Sequence, residues 1–102
     1  MQSATDNEHS VLIAPERLIS ATREDFRAAA LAHVDQLAAD ENALVIDMHQ
    51  TVELDASGLG ILVLIQKRAK ERGLSTRLRH THERVRNLLK LTMLDFLFEL
   101  TD

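Results

Sequence analysis

Apolar residues in this chain fall in short runs separated by longer segments with helical spacing, and the two alternate regularly. Val11-Leu12-Ile13-Ala14 is an apolar run stopped by Pro15, the pattern of a brief strand. Ser20 or Thr22 then offers a helix cap, with Glu24 and Asp25 in the first turn. The spacing predicts a helix to about Leu37, with a core stripe of Phe26, Ala29 or Ala30, His33 or Val34, and Leu37. Asp40-Glu41-Asn42 reads as a turn. The run Ala43 to Met48 is apolar save for Asp47, as in strands covered on both faces. A helix is predicted from Ser57 to about Arg72, closed by Gly73. Ser75 to Arg79 alternates weakly and suggests a third strand. His82 to Leu91 is amphipathic, with Val85, Leu88 and Leu89 on one face. Phe96-Leu97-Phe98-Glu99-Leu100 suggests a terminal strand.

The predicted order is β-α-β-α-β-α-β. It implies an α/β fold: a small, mostly parallel sheet of about four strands, with helices packed on it through right-handed crossovers. A chain of 102 residues is one domain. The first nine residues, Met1 to His9, are polar and acidic and read as a flexible tail, leaving residues 10–102 as the folded unit. They do not resemble a signal peptide, and no apolar stretch approaches the roughly 20 residues that span a bilayer. The chain has no cysteine, which removes disulfides and thiolate metal sites and fits a reducing cytoplasm.

The chemistry concentrates in Asp55-Ala56-Ser57-Gly58-Leu59-Gly60, between a strand signal and an apolar helix signal. In open α/β sheets, function gathers beyond the carboxyl ends of the strands, where this turn falls. Ser57 at a helix start has two readings. Its hydroxyl can cap the helix, or it can carry a phosphate held by free N–H groups and the helix dipole. The following helix is apolar nearly all round. Leu59, Leu62, Val63, Gln66 and Ala69 form one stripe; Ile61, Leu64, Ile65 and Arg68 form a second. One stripe must face the sheet. The other is either covered by a neighbouring helix or exposed as a docking patch beside Ser57, which would also suit a homodimer. Gly-Leu-Gly lacks the third glycine and later acid of a dinucleotide fingerprint, and no P-loop Lys-Ser/Thr follows.

The net charge of −4 is modest but unevenly spread. Residues 1–55 carry eleven acids against Arg17, Arg23 and Arg27, whereas nine bases lie between Lys67 and Lys90. The basic half is read as solvated helix faces rather than a direct nucleic-acid surface. With 3% aromatics, all Phe, stacking platforms are excluded.

The six-residue motif follows Leu44-Val45-Ile46-Asp47-Met48 and precedes an apolar helix ending in Arg72-Gly73-Leu74. Together with Val85-Arg86-Asn87-Leu88-Leu89 and the closing Phe-Leu-Phe-Glu-Leu, it resembles the STAS domain of anti-sigma factor antagonists over roughly residues 11–100. The resemblance implies a regulatory interaction module rather than an enzyme, without catalytic residues or cofactors. It implies Ser57 as a phosphoacceptor for a partner that is both serine kinase and anti-sigma factor, with a PP2C-type phosphatase resetting it. Asp55, Ala56, Gly58, Leu59, Gly60, Ile61 and Leu64 are then the docking surface. Pro15 to Ile19 takes the place of the family's early Gly-Glu-Leu-Asp-type turn, with Ile19 where an aspartate is often found. The alternative is a constitutive STAS subunit of a transport ATPase or signalling scaffold, with Ser57 only a helix cap.

Other constellations are weaker. His80-Thr81-His82 with His49 lacks a carboxylate or cysteine at ligand spacing, so no metal site is expected. Asp47 and Asp55 form no convincing catalytic pair, since no histidine base is placed beside Ser57 in sequence.

Overall fold

Residues 11–101 are described by a computed structural model. The expected tail, residues 1–9, lies outside the described residues. The element order is β1 (Val11–Ile13), β2 (Arg17–Leu18), α1 (Arg23–Gln36), β3 (Ala43–Asp47), β4 (Glu53–Leu54), α2 (Ala56–Glu71), β5 (Ser75–Arg79), α3 (Glu83–Leu91), a 3-10 turn (Asp95–Leu97) and β6 (Glu99–Thr101). The sheet order is β1-β3-β5-β6, and every pair is parallel. Each crossover steps in the same direction. Right-handed connections therefore place the three helices on one face.

The register sets the core. Leu12, Ile46, Leu78 and Leu100 share one row, and Leu44 and Thr76 share another of the same parity. Ile46, Leu44 and Leu78 are fully buried there, under Leu62, Ile65, Ala69, Val85 and Leu89 of the helices. In α1, the buried positions are Phe26, Ala30 and Val34. The alternative stripe through Ala29 faces solvent.

Three features differ from the sequence expectation. β2 and β4, two residues each, form a separate parallel pair beside the main sheet. They are too short for a periodic signal. The terminal strand begins only at Glu99, because Asp95–Leu97 closes a 3-10 turn in which the Phe98 N–H donates to the Asp95 carbonyl at 3.2 Å. The helix of the serine motif starts at Ala56, with Asp55 rather than Ser57 as its cap.

α1 and α2 run side by side and end together. Arg72, just past α2, donates to the Val34 carbonyl and to the Leu37 carbonyl (3.2 Å) at the end of α1. Arg68 pairs with Asp35 at 3.0 Å. Helices lying parallel place two negative dipole ends together, and these guanidinium groups offset them. α2 and α3 both close with Schellman geometry. The Leu74 N–H donates to Ala69 and the Gly73 N–H to Lys70; the Leu94 N–H donates to Leu89 and the Met93 N–H to Lys90. Gly73 (φ 78°) suits its left-handed position, but Met93 (φ 59°) occupies the equivalent one at a steric cost of about 1–2 kcal/mol.

At the carboxyl edge of the sheet, Asp47 lies across from Arg79. Its carboxylate accepts from the His49 N–H (2.8 Å), His49 Nδ1 (2.8 Å) and Arg79 Nη2 (3.1 Å). Burial alone would raise its pKa. The hydrogen bonds from His49 and Arg79 outweigh burial and hold the carboxyl below its ordinary value.

Two predictions follow from this packing. Met93→Gly should raise Tm by a few degrees, readable by calorimetry. A lowered folded pKa means that Asp47 stabilises the fold fully above the unfolded value near 3.9 and loses that contribution as pH falls through the folded value. Asp47→Asn should therefore lower stability at neutral pH and flatten the loss that sets in as pH falls below about 4, measured by urea unfolding against pH.

Candidate functional site

The serine motif sits where the start of α2 meets β2 and the loop into α1. Asp55 is extended (φ −109°, ψ −174°), and its Oδ1 accepts from the Gly58 N–H at 2.9 Å. Its Oδ2 accepts from the Ser20 N–H, 35 residues earlier, at 3.0 Å. One carboxylate thus satisfies N–H groups near the starts of both parallel helices. Hydrogen bonds from Gly58, then Ser20, with a smaller contribution from the Ser57 N–H, hold its pKa below the ordinary value.

With Asp55 as cap, Ser57 is the second residue of α2, and its side chain is half-buried. The reading of Ser57 as a simple helix cap is therefore corrected. The carboxylate two residues earlier caps the helix through the Gly58 N–H, and the Leu59 N–H, which a cap at Ser57 would have served, already donates to the Asp55 carbonyl at 3.0 Å.

The two glycines of the motif behave differently. A Cβ on Gly58 would lie 2.1 Å from the Leu18 carbonyl oxygen and 2.7 Å from Leu54 Cδ1. Gly58 is what lets α2 approach the β2–β4 pair. A Cβ on Gly60 would meet nothing within 4 Å among the described residues. Gly60 instead opens onto a groove between α1 and α2.

Of the expected docking residues, Asp55, Ala56, Gly60 and Leu64 reach the surface, Leu64 at 37% exposure, as does the expected phosphoacceptor Ser57. Gly58, Leu59 and Ile61 point inward. The expected exposed patch of Ile61, Leu64 and Ile65 is corrected likewise. Ile61 and Ile65 are buried in the core, and only Leu64 remains accessible. Beside Leu64 the groove exposes Leu31, Val63 and Lys67; α1 supplies its other wall, which helical spacing within α2 alone does not reveal. The most exposed large apolar side chains lie elsewhere, at Leu91 (81%), Phe96 (79%) and Met93 (76%) around the end of α3.

The loop at Ile19 is ordered by neighbours rather than by its own side chain. The Thr22 hydroxyl donates to the Arg17 carbonyl (2.6 Å) and accepts from the Ile19 N–H (3.1 Å). His49 binds Asp47, and His82 Nε2 donates to the His49 carbonyl at 2.7 Å. His82 is thus engaged with the His49 loop. Among the described residues, no group of three or more His, Cys, Asp or Glu is placed to hold a metal ion. Arg77 pairs with Glu99 at 2.8 Å and Arg79 with Asp47, so part of the basic run is spent inside the sheet. No described helix is long and apolar enough to cross a membrane.

The STAS domain family model matches residues 2–102. The chain belongs to the STAS domain family. Its fold is shared with solved structures of low sequence identity. One is a candidate anti-sigma factor antagonist from Thermotoga maritima, 22% identical, with a TM-score of 0.76 over 91% of this chain and 80% of that one. Another is an anti-sigma-factor antagonist (STAS) domain protein from Planctomyces limnophilus, 21% identical, with a TM-score of 0.79 over 90% of this chain and 80% of that one. In this STAS domain, the motif serine lies at the helix start that faces the carboxyl ends of the strands.

The glycine pair yields opposite expectations. Gly58→Ala should destabilise by about 1–3 kcal/mol through forced displacement of the Leu18 backbone. Gly60→Ala should stabilise by up to about 1 kcal/mol from helix propensity, with no clash. Thermal unfolding of both variants checks this, at about 4–8 °C per kcal/mol for a domain of this size.

Proposed function

We propose that this STAS domain is a cytoplasmic regulatory interaction module of the anti-sigma factor antagonist type, switched by phosphorylation of Ser57. In this reading the partner is a serine kinase that also acts as the anti-sigma factor, and a PP2C-type phosphatase resets the serine. The domain is a signal-transduction component in transcription regulation and carries no catalytic chemistry of its own.

The observation that carries the reading is the position of Ser57. It stands in the first turn of α2, relieved of capping by Asp55, and next to a surface made by Ala56, Gly60 and Leu64. A phosphate there gains about 0.3–1 kcal/mol from the helix end. It also meets the Asp55 carboxylate two residues away, which opposes it. The two effects partly cancel within the domain, so phosphorylation leaves the fold standing. What changes is the partner's surface, which meets roughly −1.5 to −2 new charges beside an apolar patch. The solved structures named above support this reading by their shared fold and their description as antagonists.

Phosphosite mapping of the protein from its own cells tests the switch, with Ser57→Asp and Ser57→Ala tested against the kinase partner. The expected result is a phosphatase-sensitive phosphate on Ser57. Ser57→Asp should weaken binding by about tenfold or more with Tm little changed, and Ser57→Ala should stay bound. Equal binding by all three forms, with no phosphate under growth or stress, would replace this reading with a constitutive subunit that holds its partner whatever the state of Ser57.

A further inference from the structure

The groove between α1 and α2 has a chemistry that the switch alone does not explain. Its floor is apolar, made by Leu31 of α1 with Val63 and Leu64 of α2. Gly60 deepens it at the end nearer Ser57. The rim carries Arg27, Lys67 and Arg68 against one carboxylate, Glu71. That positive rim stands on a chain whose net charge is −4.

Gly60 is the decisive residue. A glycine inside a helix costs about 1 kcal/mol relative to alanine. Gly58 returns that cost through its contact with Leu18, but nothing among the described residues comes within 4 Å of a Cβ at Gly60. Among the described residues that space is open. A missing side chain lets another backbone approach closely.

We infer that this groove seats an amphipathic helix of the partner, with its apolar face on Leu31, Val63 and Leu64, its backbone over Gly60, and acidic side chains toward Arg27, Lys67 and Arg68. Two parallel helices form a trough open to solvent along its length, which suits a third helix anchored at i, i+3, i+4 and i+7. The Arg68–Asp35 pair is about half exposed on both sides. Such pairs contribute little in water, so Arg68 is available to exchange its partner for an incoming carboxylate. Ser57, Gly60, Leu64, Lys67 and Glu71 follow 3-4-3-4 spacing and share one face of α2. A phosphate on Ser57 therefore heads the same stripe and repels an acidic helix within a Debye length of about 8 Å. The link to phosphorylation rests on the function proposed above. The acidic helix in the groove does not depend on it.

The test uses two synthetic helical peptides, one with Leu on one face and Glu on the other, and its twin with Lys for Glu. Each is titrated into the isotope-labelled domain and followed by backbone amide NMR. Expected are shifts centred on Leu31, Gly60, Leu64 and Lys67 with the acidic peptide, and weaker binding of the basic one. Lys67→Glu should weaken the acidic peptide about tenfold and favour the basic one. Gly60→Leu, whose Cβ meets nothing within 4 Å among the described residues, fills the groove; it should bind neither peptide, with an amide spectrum that keeps its native dispersion. The inference is overturned if the acidic peptide does not bind, if the basic peptide binds as well, if the shifts centre on Leu91 and Phe96 instead, or if Gly60→Leu leaves binding unchanged. Groove binding unaffected by Ser57→Glu would uphold the groove and count against the phosphoswitch. A phosphorylated Ser57 beside a groove that ignores the acidic peptide would do the reverse.

Discussion

The close approach of α2 to β2 is the constraint on which the rest of the site depends. Gly58 has no room for even a methyl group against the Leu18 carbonyl. Across the same junction, the Asp55 carboxylate bridges Gly58 and Ser20. The Asp55 N–H meets the Leu18 carbonyl at 3.4 Å as well. The short β2–β4 pair, the entry to α1 and the first turn of α2 are thereby fixed relative to one another. Ser57 inherits its position from that junction and contributes little to making it.

Electrostatics repeats the same economy at the other end of the helix pair. α1 and α2 lie parallel, so their like dipole ends sit together. Asp55 caps α2 and binds the Ser20 N–H in the loop leading into α1, and Arg68 and Arg72 answer the two C-terminal ends. Along the carboxyl edge of the sheet, Asp47 ties β3 to β5 and to the His49 loop. These charged groups hold neighbouring elements in register. Within them His49 is hydrogen-bonded to Asp47, and His82 to the backbone of the His49 loop.

Two local choices run against stability. Met93 takes a left-handed backbone where glycine would be easier, and Gly60 weakens a helix whose packing does not require it. The first closes the Schellman turn of α3 beside exposed Leu91 and Phe96, and nothing in the fold explains a methionine there. The second borders the groove, where its space has a use. Local cost without local benefit is a physical reason to look outside the chain.

The order of strands and helices was legible in the residues. A buried strand such as Ala43–Asp47 and an amphipathic helix such as Glu83–Leu91 carry their period in their own side chains. The motif also announced the helix start, to within two residues. Four things needed the tertiary structure. β2 and β4 are too short to show a period. Asp55 displaced Ser57 as the cap, because its second oxygen has a distant partner in Ser20. Burial of Ile61 and Ile65, with Leu64 left open, was decided by where α1 and the sheet came to lie around a helix that is apolar on nearly every side. The contrast between Gly58 and Gly60 was settled by Leu18, which lies forty residues before Gly58 in sequence and against it in space. Periodicity belongs to a segment; which face of an evenly apolar helix meets solvent belongs to its neighbours.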